Sequence, residues 1–138
     1  MNRFPESIGY FEVSHTADIA IAVTGDSIAS LFQQSYFALK EMERVAIQEK
    51  KSQSTTIQLR AKSIEALLIA FLNEIIVLLD QESWPVISEM NITEDSLDFT
   101  FDLYDCITHG CTIKAATYNE VEIVCHSGFF STMLVFDV

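Results

Sequence analysis

Between residues 96 and 103 apolar and polar positions alternate without a break. Leu97, Phe99, Phe101 and Leu103 are apolar, and Ser96, Asp98, Thr100 and Asp102 are polar. Successive side chains of a strand point to opposite faces, so this pattern predicts a half-buried antiparallel strand. Residues 8–14 (IGYFEVS) and 18–24 (DIAIAVT) are rich in β-branched and aromatic types and predict two short strands. Gly25, Asp26 and Ser27 then supply a turn and a helix N-cap. Ile28, Leu31, Phe32, Leu39 and Met42 recur at helical spacing, which predicts an amphipathic helix over 28–43. Residues 43–54 are polar and charged and read as a loop, with a strand following at 54–60 (STTIQLR).

Ser63 is the expected cap of a second helix. Ile64, Leu67, Leu68, Phe71, Leu72, Ile75, Ile76 and Leu79 make its apolar stripe broad, so this helix is expected to be largely buried. Trp84-Pro85 reads as a break, with a strand in PVISEMNIT after it. Beyond the alternating stretch, strands are expected at 112–118, 120–126 and 131–138. The order β-β-α-β-α followed by a run of strands predicts an α+β fold, two helices packed on mainly antiparallel sheet. No repeat or linker divides the chain, so residues 1–138 are expected to form a single domain.

Composition supports a folded protein. Hydrophobic residues are 49% of 138, while Gly and Pro number only four and two, which argues against disorder. No apolar run reaches membrane-spanning length, and the amino-terminal MNRFPES lacks the apolar core of a signal peptide. A cytoplasmic location with no membrane partner is the expectation, and three cysteines, an odd number, fit a reducing compartment. The net charge of −12 argues against direct nucleic-acid binding and suits a basic protein partner or a bound cation. After Lys62 the only Lys or Arg is Lys114.

Three groups of residues invite a chemical reading. In SHTADIAIAV, Asp18 stands at the start of a strand and His15 three residues back in a tight connection. Hydrogen bonding to turn backbone accounts for both without further function. At the other end the chain stays apolar to its last residues, LVFDV. In an extended strand Asp137 shares a face with Val135 and Met133, and Val138 points the other way. The Asp137 carboxylate, a backbone carbonyl and a terminal carboxylate on Val138 would repel one another unless a hard cation such as Ca²⁺ gathered them. Mg²⁺ and Mn²⁺ are alternatives, Asp18 is a candidate further ligand, and a solvated tail without an ion is the plain alternative. The third group is Cys106, His109, Cys111, Cys125 and His126. Its Cys-x2-His-x-Cys spacing is no usual zinc knuckle, and buried cysteines are the expected reading. No phosphate-binding loop, dinucleotide fingerprint or serine-nucleophile elbow is present in the sequence.

Taken together, four segments resemble the archease family. SHTADIAIAVTGDSIASLFQQSYFAL is similar to its amino-terminal signature, His-Thr-Ala-Asp-Ile/Val before a Leu- and Phe-rich helix. SIEALLIAFLNEIIVLLDQES resembles its second helix, IKAATY its Val-Lys-Ala-Val-Thr-Tyr element, and VFDV its acidic carboxyl terminus. Two positions depart: Asn119 stands where the family usually has His, and Phe129 and Phe130 stand where a Trp is usual.

The resemblance implies an accessory protein for the RNA ligase that joins 3′-phosphate or 2′,3′-cyclic-phosphate ends to 5′-hydroxyl ends. Such a protein promotes guanylylation of the ligase histidine and its turnover, in tRNA splicing or RNA repair. It implies a divalent metal, Ca²⁺, held by Asp18, Asp137 and Val138, and a functional role for Lys114. Two further readings are weighed beside it. One is a metal-dependent enzyme in its own right, with His15 the only general base within sequence reach. The other is a chaperone-like binding module for RNA-processing proteins.

Overall fold

The computed structural model describes residues 3–14, 18–110, 112–119 and 121–138. Its chain order begins with β1 (Gly9–Val13), β2 (Ile19–Gly25), α1 (Ile28–Met42), β3 (Ala46–Arg60) and α2 (Ile64–Asp80). Five strands follow: β4 (Ser83–Ile92), β5 (Ser96–Thr108), β6 (Ala115–Thr117), β7 (Val124–His126) and β8 (Phe129–Asp137). The fold is α+β: among the described residues, two helices pack against two antiparallel sheets.

Both helices start where the sequence places their caps. The Ser27 hydroxyl accepts from the Ser30 N–H at 3.0 Å and the Ser63 hydroxyl from the Ala66 N–H at 3.0 Å. Each bond satisfies a donor that the first helical turn leaves without an intrahelical partner. Gly25 is required just before α1, because a Cβ there would lie 2.3 Å from the Leu31 backbone nitrogen. The apolar stripe of α2 buries Leu67, Leu68, Ile69, Phe71, Leu72, Ile75, Ile76 and Leu79. At about 1.5–3 kcal/mol for each large side chain, this burial is what makes the helix stable.

One sheet has the order β1-β2-β8-β6, with β7 also paired to β8. The other has the order β3-β5-β4. A single core joins both sheets through the helices: Ile21, Val23, Leu134 and Phe136 from the first, Leu97, Phe99 and Phe101 from the second. β5 follows the alternation read from its sequence, with Leu97, Phe99 and Phe101 buried and Leu103 packed against the core. β2 and β8 are central and buried on both faces. Ala20, Ala22, Met133 and Val135 form a second, smaller cluster on the face away from the main core, under Phe4 and Val13.

Three expectations need correction. The loop expected over 43–54 is largely strand, since β3 begins at Ala46. Nearly all of β3 is exposed, so no face carries an apolar stripe; main-chain pairing with β5 defines it, through four register shifts. Trp84 and Pro85 lie within β4 instead of breaking it. β4 is an edge strand, where a missing N–H costs no ladder bond. The strands expected at 112–118 and 120–126 shrink to Ala115–Thr117 and Val124–His126.

Candidate functional site

The register of β2 on β8 answers how residues 119 positions apart can meet. Ile19 pairs with Phe136, Ala20 with Val135 and Ala22 with Met133. Asp18 immediately precedes Ile19 and Asp137 immediately follows Phe136, so the two acids lie at adjoining strand ends. Side chains two apart on a strand share a face, so Asp137 follows Val135 and Met133. Asp137 therefore belongs to the face away from the main core, at the end of the Ala20–Ala22–Met133–Val135 cluster.

β6 closes the other side of β8. Ala115 pairs with Asp137, Ala116 with Phe136 and Thr117 with Val135. The Lys114 N–H donates to the Asp137 carbonyl at 2.8 Å, which fixes the last turn of backbone before Val138. The Thr117 hydroxyl donates to the Val135 carbonyl at 3.0 Å. The backbones of Asp18, Lys114, Asp137 and Val138 thus converge on one end of the sheet. Asp137, Val138 and Lys114 are exposed, and Asp18 is half-buried. The Lys114 ammonium makes no ion pair with a described residue.

A residue of α2 that the sequence reading left without a role holds this corner in place. Asn73 donates its amide to the Ala116 carbonyl at 3.2 Å and accepts from the Ala116 N–H at 2.8 Å. The signal was available in the sequence as a single amide inside the apolar stripe of α2. Nearby, the Glu65 carboxylate accepts from the Ile123 N–H at 3.1 Å and ties the segment before β7 to the start of α2.

The donors at this corner are all oxygen, the kind that hard cations take. Among the described residues no group of three or more His, Cys, Asp or Glu side chains gathers to hold a metal. A cation here would therefore rely on the Asp18 and Asp137 carboxylates together with backbone or terminal oxygens. His15 and Cys111 lie outside the described residues. The remaining soft ligands separate: Cys106 and His109 line a groove with Asp80 and Glu82, whereas Cys125 and His126 line another with Arg3 and Phe4. Neither described cysteine is buried as expected; Cys106 is half-buried and Cys125 exposed. Burial, then the neighbouring Asp105 and Glu82, push the Cys106 thiol above its usual range, away from the reactive thiolate.

Two antiparallel sheets spanned by two helices define an α+β class that solved structures share. The chain is similar over 91% of its length to an archease from Thermotoga maritima described as a possible chaperone, with a TM-score of 0.69 and 23% identity over 94% of that chain. It is similar over 94% of its length to Methanobacterium thermoautotrophicum protein 1598, with a TM-score of 0.68 and 18% identity over 99% of that chain. Among curated proteins, it is 26% identical over 129 residues to the Protein archease-like of Drosophila melanogaster, covering 83% of this chain and 80% of that one. It is 24% identical over 141 residues to the Protein archease of Pyrobaculum islandicum, covering 95% and 96%. The model of the Archease protein family (MTH1598/TM1083) matches residues 10–138. The chain belongs to the archease family.

Among the described residues, no helix is long and apolar enough to cross a membrane.

Proposed function

We propose that this protein is a non-catalytic activator of an RNA ligase that joins 3′-phosphate or 2′,3′-cyclic-phosphate ends to 5′-hydroxyl ends. It acts in the cytoplasm by promoting guanylylation of the ligase, in tRNA splicing or RNA repair. The observation that carries this reading is the Ile19–Phe136 pairing, which leaves Asp18 and Asp137 at adjoining strand ends beside the Lys114–Asp137 main-chain bond. The residues that the family resemblance marks thereby meet at one exposed corner.

A divalent cation, Ca²⁺ in this reading, is held there by Asp18, Asp137 and Val138. When bound, the cation would neutralise both carboxylates and fix the tail of β8. Asp18 and Asp137 supply hard oxygen ligands, and Lys114 offers a positive charge to a phosphate or to an acidic group on the ligase. The net charge of −12 favours approach to a ligase with a basic RNA channel, with an on-rate that falls as salt rises.

The test is ligase guanylylation with and without this protein. Faster guanylylation is expected with the wild type, and loss of the effect with Asp18→Ala, Asp137→Ala and Lys114→Ala. Folded variants that activate like the wild type overturn the site assignment. Chelator-sensitive turnover by the protein alone, without ligase, favours a metal-dependent enzyme instead. Protection of several unrelated RNA-processing enzymes from aggregation, without a change in guanylylation, favours a chaperone-like module.

A further inference from the structure

The amino-terminal segment, residues 3–8, runs across the outer face of the central strands β2 and β8. Three cross-strand pairs make up the part of that face beneath it: Ala20 with Val135, Ala22 with Met133 and Thr24 with Ser131. Phe4 packs against the cluster that the four apolar residues form. One residue on, the Pro5 carbonyl accepts from the Thr24 hydroxyl at 2.8 Å. That bond uses the only proton of the Thr24 hydroxyl, so the Ser131 hydroxyl, 2.7 Å away, donates to it. The segment thus engages the face twice, with an aromatic ring on its apolar part and a main-chain oxygen on its polar part.

The hold is shallow. β2 lies between β1 and β8, and β8 between β2 and β6, so a segment here is held by contacts across the face and not by strand addition. Residues 3–8 belong to no strand; Phe4 and Pro5 are half-buried, and residues 6–8 are exposed. Arg3 and Glu6 are engaged as well. Two clefts adjoin the segment. One, of about 570 Å³, opens against Val124, Cys125 and His126 of β7. The other, of about 360 Å³, opens against Tyr118 and Val121. A segment outside the strand ladders, half-exposed and bordered by open space, belongs to the part of a fold that opens locally while the core stays intact.

We propose that this face is a docking seat for an extended, aromatic-bearing segment of a partner protein, and that residues 3–6 occupy it in cis as a releasable cover. The cover itself displays the chemistry that fits. A partner segment sets its ring where the Phe4 ring lies and the carbonyl of its next residue on the Thr24 hydroxyl. Selection is by shape and one hydrogen bond instead of by charge, since the cover carries one Arg and one Glu. Being tethered, the cover competes at high effective concentration, and the apparent affinity of a partner falls in proportion to the fraction of protein that is open. The seat is independent of what the acidic corner binds.

The probe is the cover supplied in trans, the synthetic peptide Arg-Phe-Pro-Glu-Ser-Ile blocked at both ends, titrated into ¹⁵N-labelled full-length protein. Phe4→Ala, at a half-buried position, is expected to release the cover and leave the spectrum dispersed. The peptide is expected to bind this variant and to shift amides at residues 20–24 and 131–135. A peptide with Ser in place of Phe, unchanged in charge, is not expected to bind. The wild type is expected to bind the first peptide at least about tenfold more weakly, as a cover closed nine-tenths of the time or more requires. Shifts elsewhere or none, equal binding of the Ser peptide, or equal affinity of wild type and variant each overturn the proposal. So does loss of the dispersed spectrum in Phe4→Ala, because a cover that the core needs is not releasable. Sedimentation of the wild type as a dimer that Phe4→Ala dissolves overturns it as well, by making a second copy the occupant.

Discussion

The side-chain amide of Asn73 bonds both main-chain groups of Ala116, accepting from its N–H at 2.8 Å and donating to its carbonyl at 3.2 Å. A three-residue strand is too short to hold its place by pairing with one neighbour. Asn73 satisfies its outer edge and couples it to the buried helix α2. Because β6 in turn flanks Asp137, the clamp reaches the candidate site through two short steps.

Replacing Asn73 with Ala is expected to cost about 2–3 kcal/mol, since two partly buried backbone groups lose their partner. Asn73→Asp keeps an acceptor, loses the donor, and is expected to fall between. Urea denaturation measures the stability. Hydrogen exchange at the Ala116 amide is expected to accelerate more than exchange in β2. Uniform acceleration would show that the clamp is not local.

At the two strand-end acids, Asp137→Asn separates charge from shape. In chelator the variant is expected to match the wild type to within a few tenths of a kcal/mol, because Asp137 is exposed and Asn keeps its shape. In excess Ca²⁺ the wild type is expected to gain stability as ligand linkage requires, about 2.7 kcal/mol at a hundredfold excess over Kd. The variant is expected to gain far less. Thermal melts in chelator and in Ca²⁺ read both effects, and equal Ca²⁺ responses would remove Asp137 from the ligand set.

Tyr36 sits between two buried partners. Its hydroxyl donates to the Pro85 carbonyl at 2.6 Å and accepts from the Trp84 indole N–H at 2.9 Å. Tyr36→Phe leaves both groups unpaired and is expected to cost about 2–3 kcal/mol. Burial pushes the Tyr36 phenol from 10.0 up to about 12, against the lowering effect of the Trp84 indole N–H and the Ile87 main chain. The unfolded chain ionises first, so the stability tied to this proton is complete below pH 10.0 and is lost as pH climbs through about 12. Alkaline denaturation of Tyr36→Phe is therefore expected to be less steep over that window. It is not expected to become flat, because burial and Glu41 also raise Tyr10 to about 12.

Thr132 offers the opposite case. It is fully buried in β8 and its hydroxyl has no hydrogen-bond partner among the described residues. Thr132→Val exchanges that hydroxyl for a methyl group of similar size and is expected to stabilise the protein by about 1 kcal/mol. A loss of stability in chemical denaturation would mean that the hydroxyl is satisfied in solution.

Much of this architecture was legible from periodicity. Ser27 and Ser63 announced the helix starts, and Leu97, Phe99 and Phe101 announced the buried face of β5. β3 was not legible over its first eight residues, because a strand exposed on both faces carries no apolar pattern. Pro85 misled for a related reason: it breaks interior strands, and only the sheet order shows that β4 is an edge. Asn73 was visible as a residue type, but its partner lies 43 positions away.

The sequence by itself determined the local choices: where helices begin, which stripes must be buried, and that Asp18 and Asp137 stand at strand ends. Those follow from interactions within a few residues, which a pattern can encode. Only the tertiary structure decided that β8 runs between β2 and β6, bringing the strand ends at Asp18 and Asp137 side by side and setting the Lys114 N–H on the Asp137 carbonyl. Pairing partners are chosen by the joint burial of Ile21, Val23, Leu134 and Phe136 beneath the helices. That choice is collective, and no stretch of sequence contains it.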